Sequence, residues 1–347
     1  MLTYFIELAS PALSELLARP GVIDGLVRQG AAVAMAILDL DPTRREAIAA
    51  LTARGIPVTA WLVLHRDAGY WLTADNAEVA QHRYHEVRAW LREHDLDVIC
   101  FGLDVETPLD DSRDLFARGR QALYRLFLER RSREKLREAA HAYDALLDEI
   151  RRDGYAVESY QFPLIVDERR ARSQLLQRAL GVVDIKTDRE VLMLYRTLLP
   201  RPFDALLVDA FGPDADAMAV GITGGGVDFV LEETQRLLSL EELLIDLRRA
   251  ARYTRNLYIF SLEGCVEAGI FEALDDVALD PMAPAFGTFA TRMARWALRA
   301  LLSGEALYDR ANWPAPARLE RGQREARHGA GHGEGHDASS SSASAEK

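Results

Sequence analysis

Eight short apolar or β-branched runs, each ending in a polar residue and each followed by a longer stretch of helical spacing, constrain this chain more than any other feature. The predicted strands cover residues 4–8, 32–38, 58–64, 98–105, 156–161, 191–195, 217–222 and 257–262. Strands that alternate with helices build a parallel sheet. Eight is the number at which such a sheet closes around an interior filled by side chains, so the predicted fold is α/β, a single (β/α)8 (TIM) barrel.

The segments between the strands agree with this reading. Residues 42–54 open on Pro42 and stop before Gly55, as a helix ended by a C-cap glycine does, and residues 77–94 repeat the arrangement. Residues 112–153 are rich in strong helix formers and too long for one barrel helix, which predicts a two-helix hairpin inserted after strand four and packed outside the barrel. Residues 241–252 lead into the last strand. Residues 288–302 have the spacing of a closing helix, with Trp296 and Leu298 among its apolar positions. The barrel is expected to span residues 1–313. Residues 314–347 turn first charged and then Gly/His/Ser-rich, a composition that buries too little apolar surface to offset ordering entropy and is expected to be disordered. His328, His332 and His336 recur there every four residues, which would suit a metal on a helix, but the glycines between them oppose one.

Composition narrows the function classes. The net charge is −12, from 42 Lys and Arg against 54 Asp and Glu, with no basic stripe of interleaved aromatics, so nucleic acid is not the expected partner. No apolar run approaches the roughly 20 residues needed to cross a bilayer, and the opening residues carry no basic leader, so the expected location is the cytoplasm. Cys100 and Cys265 are expected to be buried thiols and not a disulfide. A carbohydrate or other small molecule is the expected partner.

A barrel of this kind carries its chemistry at the C-terminal ends of the strands. Those ends supply Glu7, then Asp39 with Asp41, then Asp104 with Glu106, then Tyr160 with Gln161, and finally Glu263. Along strand four, alternation places Cys100, Gly102, Asp104 and Glu106 on one face and Phe101, Leu103 and Val105 on the other, and the large apolar set suits the helix side. Asp104 and Glu106 would then point together into the barrel mouth, with Cα atoms roughly 6.6 Å apart. Carboxylates this close repel, so one keeps its proton and becomes a general acid beside a charged neighbour, the division that cleavage of a glycosidic bond requires. The alternative for this pair is a cap on the next helix or an ion pair with Arg113.

Other positions carry two readings each. Asp39 and Asp41 precede Pro42, so one of them can be an N-cap. His65 is a proton carrier or a hydrogen-bonded structural residue. The loop 66–76 presents Tyr70 and Trp71 among small polar residues, which suits the apolar face of a sugar ring or a lid anchored on the barrel wall. The run Gly221-Ile222-Thr223-Gly224-Gly225-Gly226 is a phosphate cradle or a mobile turn; it lacks the Gly-Lys-Ser/Thr ending of a P-loop.

Gly102-Leu103-Asp104-Val105-Glu106 resembles the end of the strand-four signature of family 18 glycoside hydrolases, the chitinase type, and Met193-Leu194-Tyr195 resembles that family's Met-x-Tyr segment on strand six. The resemblance implies Glu106 as proton donor, Asp104 as the group that orients a substrate acetamido group, and Tyr195 as its hydrogen-bond partner. Gly102 stands where the family signature carries an acid, Arg196 where it has Asp after the tyrosine, and Phe260 and Ser261 where it places a tryptophan platform.

Three functions follow as expectations. The leading one is a glycoside-hydrolase-like enzyme without cofactor, with Glu106 and Asp104 reacting and Tyr195, Glu263, Glu7, Asp39, Tyr70, Trp71 and Gln161 binding the substrate. The second is an isomerase, lyase or phosphoesterase in which Glu7, Asp39, Asp104, Glu106 and Glu263 share Mg2+ or Mn2+; the shortage of histidine at the rim counts against zinc. The third is a non-catalytic carbohydrate-binding or scaffolding barrel that uses residues 112–153 as a partner surface.

Overall fold

Side chains that alternate along each strand divide the core into two shells, and this division places the functional rim. In a computed structural model of the chain, which describes residues 1–198, 203–226, 236–275, 277–285 and 287–312, the strands are Leu2–Ile6 (β1), Ala32–Ala36 (β2), Val58–Leu62 (β3), Cys100–Val105 (β4), Ala156–Gln161 (β5), Arg189–Met193 (β6), Ala217–Gly221 (β7) and Leu257–Phe260 (β8). All neighbours pair in parallel and β8 returns to β1, closing the barrel. Phe101, Leu103 and Val105 point outward into the shell beneath the helices, as β4 alternation requires. Expected strand ends such as Leu8, Leu64 and Leu262 lie past the ladder, where the chain has already turned onto the rim. The expected tail, 314–347, with His328, His332 and His336, lies outside the described residues.

The helices are Ser10–Ala18 (α1), Val22–Gln29 (α2), Pro42–Ala53 (α3), Ala77–Glu93 (α4), Leu109–Arg118 (α5), Arg120–Leu128 (α6), Arg133–Arg152 (α7), Ile165–Ala171 (α8), Leu175–Leu180 (α9), Leu207–Phe211 (α10), Leu240–Ala250 (α11), Leu262–Glu267 (α12) and Thr288–Asn312 (α13). Asp41 caps α3, its carboxylate accepting from Arg44 N at 2.9 Å. The insertion holds three helices and not two, because Gly119, at φ 50°, breaks the chain between α5 and α6 and Ser132 starts α7 as an N-cap. Only part of it lies outside the barrel: α7 packs on α4 and β5, whereas α5 turns Ser112, Leu115 and Phe116 over the mouth.

The last helix is fastened to the same mouth by buried charge. Arg295 on α13 donates to Asp167 on α8 at 2.9 Å, to Asp214 at 2.8 Å and to the Ala210 carbonyl, with its guanidinium 4.0 Å from the centre of the Phe211 ring. This clamp turns Leu298 inward and leaves Trp296 on the solvent side of the helix.

Inside the barrel, large and small side chains are distributed unevenly. Phe5, Trp61, Tyr160, Tyr258 and Phe260 interlock, with Phe5 edge-on to Tyr160 at 4.8 Å and to Trp61 at 5.3 Å. Between them β2, β4 and β7 present the small residues Ala34, Ala36, Gly102, Ala217, Ala219 and Gly221, and β6 presents Val191. Gly102 is required by this packing: a Cβ there would lie 2.2 Å from the Tyr160 hydroxyl, which is itself fixed by donating to Glu158 at 2.9 Å. Gly102→Ala is therefore expected to lower unfolding free energy by about 1–3 kcal/mol in denaturant titrations. Wild-type stability in that variant would show that the Tyr160 ring can move aside.

Candidate active site

Above the aromatic floor lies a cavity of about 670 Å³, lined at its base by Glu7, Asp104, Glu106 and Tyr195 and walled by Trp61, Trp71 and Phe260. Asp104 and Glu106 come from β4 and the residue just past it, and the loop after β3 fixes that end. Leu72 N donates to the Asp104 carbonyl at 2.9 Å and Glu106 N donates to the Leu72 carbonyl at 3.0 Å, so the loop continues the sheet for one residue. The same loop brings Trp71 to the cavity wall and Tyr70, at φ 62°, to Glu7, to which its hydroxyl donates. Asn76 holds the loop's shape by donating to the carbonyls of Ala68 and Trp71 and accepting from Thr73 N.

The two β4 carboxyls lie within hydrogen-bond reach of each other. Burial, followed by the charges of Glu106 and Glu7, pushes the Asp104 carboxyl well above the usual carboxylate range. Burial also raises Glu106, to about 7, against the opposing effect of its hydrogen bond with Asp104. The pair thus keeps a proton near neutral pH, shared between the two carboxyls. Tyr195, raised by burial and by these acids, stays a neutral hydroxyl facing them. Arg113, the alternative partner considered for the pair, lies 3.7 Å from Asp110 on its own helix.

Glu263 does not reach the cavity surface. It lies one layer behind, where its carboxylate accepts from Glu7 N at 3.1 Å and Gly226 N at 3.2 Å, and burial raises it to about 7. It braces the strand that carries Glu7. The glycines after β7 serve this packing: a Cβ on Gly225 would lie 2.1 Å from Glu263 Cγ, and Gly224, Gly225 and Gly226 all have positive φ. Gly226 N is spent on a carboxylate, so it is not an open phosphate donor.

Three sequence expectations need correction. Asp39 is held away from the cavity by Arg44, whose Nε and Nη2 donate to it at 3.0 Å each; burial opposes ionisation, but Arg44 and Ser10 outweigh it and keep the carboxyl below its ordinary value. Gln161 is buried on the helix-facing side of β5, because Tyr160 takes the inward position. Asp39 and Glu263 stand outside the group formed by Glu7, Asp104 and Glu106, so the five-carboxylate Mg2+ or Mn2+ site does not assemble. Among the described residues no group of three or more His, Cys, Asp or Glu could hold a metal ion. His65 is exposed at the end of β3, and both cysteines are free and buried.

The structure also contains site features not read from the sequence. Glu158, inside β5, is buried and accepts from Tyr160 and from Tyr258 at 2.6 Å, which places a carboxylate beneath the floor. Arg196, where an aspartate was the family expectation, turns away from the cavity to Asp246 at 3.2 Å and Asp204 at 3.3 Å. Strand parity could have found Glu158; nothing local indicates the partners of Arg196.

No protein-family model matches the chain, and no curated protein matches it. Among solved structures it is similar to a GH18 chitinase from Pseudoalteromonas aurantia, at 9% identity over 79% of this chain and 98% of that one, TM-score 0.46. It is also similar to the PgaB (BpsB) glycoside hydrolase domain from Bordetella bronchiseptica, at 11% identity over 81% and 99%, TM-score 0.47. A D-allulose 3-epimerase from Methylomonas sp. aligns at 12% identity over 88% and 94%, TM-score 0.41. The fold itself is a (β/α)8 TIM barrel, and no helix among the described residues is long and apolar enough to cross a membrane.

The raised acids link stability to pH. A carboxyl whose folded pKa exceeds its unfolded value favours the fold while protonated, and that contribution is lost as pH rises through the folded value. The protein is therefore expected to lose thermal stability from about pH 5 to pH 8. Asp104→Asn, which removes the most buried acid and keeps its shape, should flatten that slope and raise Tm at pH 8. An unchanged slope in scanning calorimetry would place the titration elsewhere, for example at Glu263 or Asp246, both raised to about 7 by burial.

Proposed function

We propose that this barrel cleaves a glycosidic bond beside a 2-acetamido sugar, with Glu106 as proton donor, Asp104 as its buried partner and Tyr195 as a substrate hydrogen-bond donor. One observation carries the reading: Asp104 and Glu106 set neighbouring carboxyls, both raised by burial, at the base of an aromatic-walled cavity. Enzymes that work with two opposed carboxylates keep them about 5–5.5 Å or about 6.5–9.5 Å apart, across the scissile bond. Carboxyls in mutual contact cannot straddle that bond. They serve instead as one acid unit, and the attacking group must come from elsewhere, which the substrate's own acetamido oxygen can provide.

The proton balance then runs through named atoms. The shared proton moves to Glu106, which delivers it to the glycosidic oxygen as the C1–O bond breaks. Asp104, now ionised, accepts the acetamido N–H while the acetamido oxygen bonds to C1, with Tyr195 donating to that oxygen. Water subsequently opens this bond, returning its proton to the Glu106 carboxylate. Trp61, Trp71 and Phe260 provide flat apolar faces for sugar rings. Anionic sugars fit less well, since Arg295 is the one cation among the described lining residues and its donors go to Asp167, Asp214 and Ala210.

Glu106→Gln is expected to reduce kcat on 2-acetamido glycosides by 10²–10⁴-fold with little change in KM, and wild-type activity should decline as pH rises and the pair loses its last proton. Reducing-end or leaving-group release across a glycan panel measures both. A panel that wild-type protein leaves intact, or a Glu106→Gln variant at full activity, would end this reading.

A further inference from the structure

The acids occupy only the β1 and β4 side of the cavity. Beyond them, over β5 and β6, the wall is built by α5, the turn into α8, the segments after β6, and α13. Its described side chains there are mostly apolar, represented by Leu115, Phe116, Phe162, Leu164, Leu207 and Leu298, with Ser112 and Thr291 among them. Two of them line the cavity while remaining well exposed, Phe116 at 61% and Phe162 at 40%, so the apolar lining runs out to the rim. Arg295, the cation in this region, presents a neutralised guanidinium held by Asp167 and Asp214.

Such a wall does not match a second sugar. A sugar ring in a closed site needs hydrogen-bond partners around its edge, and burying hydroxyls against leucine leaves them unpaired. It does match an alkyl or acyl chain, whose burial is favourable in proportion to the apolar area removed from water. Building on the reading of Glu106 and Asp104 above, we infer that the β5–β6 side of the cavity is a binding arm for an apolar aglycone, and that the substrate is an amphiphilic glycoside with its sugar at the acids and its chain along α5 and α13.

Octyl and methyl 2-acetamido-2-deoxy-β-D-glucopyranoside share the sugar and the linkage and differ in the chain alone. Titration calorimetry of each against the full-length protein, with the octyl compound below its micelle concentration, should give at least tenfold tighter binding of the octyl glycoside. Leu298→Asn should reduce the octyl-to-methyl ratio of affinities severalfold, and the milder Leu115→Ala should shift it in the same direction where the asparagine variant folds poorly. Equal affinities for the two glycosides would overturn the inference. So would an octyl preference that both variants retain, which would place the chain elsewhere on the surface. Hydrolysis is scored separately: an octyl preference that depends on Leu298, with neither glycoside cleaved, would end the glycosidase reading and leave the apolar arm standing.

Discussion

The aromatic floor of the barrel determines much of what lies above it. Phe5, Trp61, Tyr160, Tyr258 and Phe260 fill the interior so fully that β2 and β7 contribute alanine and glycine and β4 a glycine beside them. This packing keeps the space beneath Asp104 free of bulk water, so a carboxyl standing on the floor is poorly solvated and keeps its proton. The electrostatics of the cavity base are thus set by hydrophobic packing one layer below. Glu158 occupies the floor's underside on different terms, since the hydroxyls of Tyr160 and Tyr258 supply donors that Asp104 lacks.

Charge accounting explains the arrangement around the pair. Glu7, Asp104 and Glu106 converge at the cavity base, while Arg295, the one cation among the described lining residues, is held by Asp167 and Asp214. Their mutual repulsion is limited by protonation and by local donors, with the Tyr70 hydroxyl given to Glu7. The loop that carries Tyr70 also extends the β4 ladder through Leu72, so one segment both sets the position of Glu106 and donates to Glu7. Elsewhere the acids are neutralised by arginine: Asp39 by Arg44, Asp204 and Asp246 by Arg196, and Asp167 by Arg295. Asp104 and Glu106 are instead held toward the protonated form by burial.

The alternation of short strands and helical stretches was enough to read the barrel, because period-two and period-3.6 patterns are local properties. Parity along β4 likewise points Asp104 and Glu106 inward. Applied to β5, the same parity would have rejected Gln161 and selected Tyr160 and Glu158. Asp39 illustrates a different limit. Its position at a strand end was legible, but Arg44 sits five residues on, and whether a nearby arginine faces the rim or the solvent depends on how α3 is rotated against the barrel. The role of α5 and α13 in closing the cavity depends on contacts between distant segments such as Asp167 and Arg295, which no window of sequence contains.

Gly102 shows how tightly the floor constrains β4. An acid at position 102 would need the volume that Tyr160 fills, and the carboxylate that the Tyr160 hydroxyl meets belongs instead to β5, at Glu158. A buried acid directly under Asp104 would raise its pKa further by repulsion, whereas a glycine with a tyrosine ring over it adds desolvation without charge. What selects Asp104 and Glu106 as a one-proton pair is the environment the whole barrel builds around them.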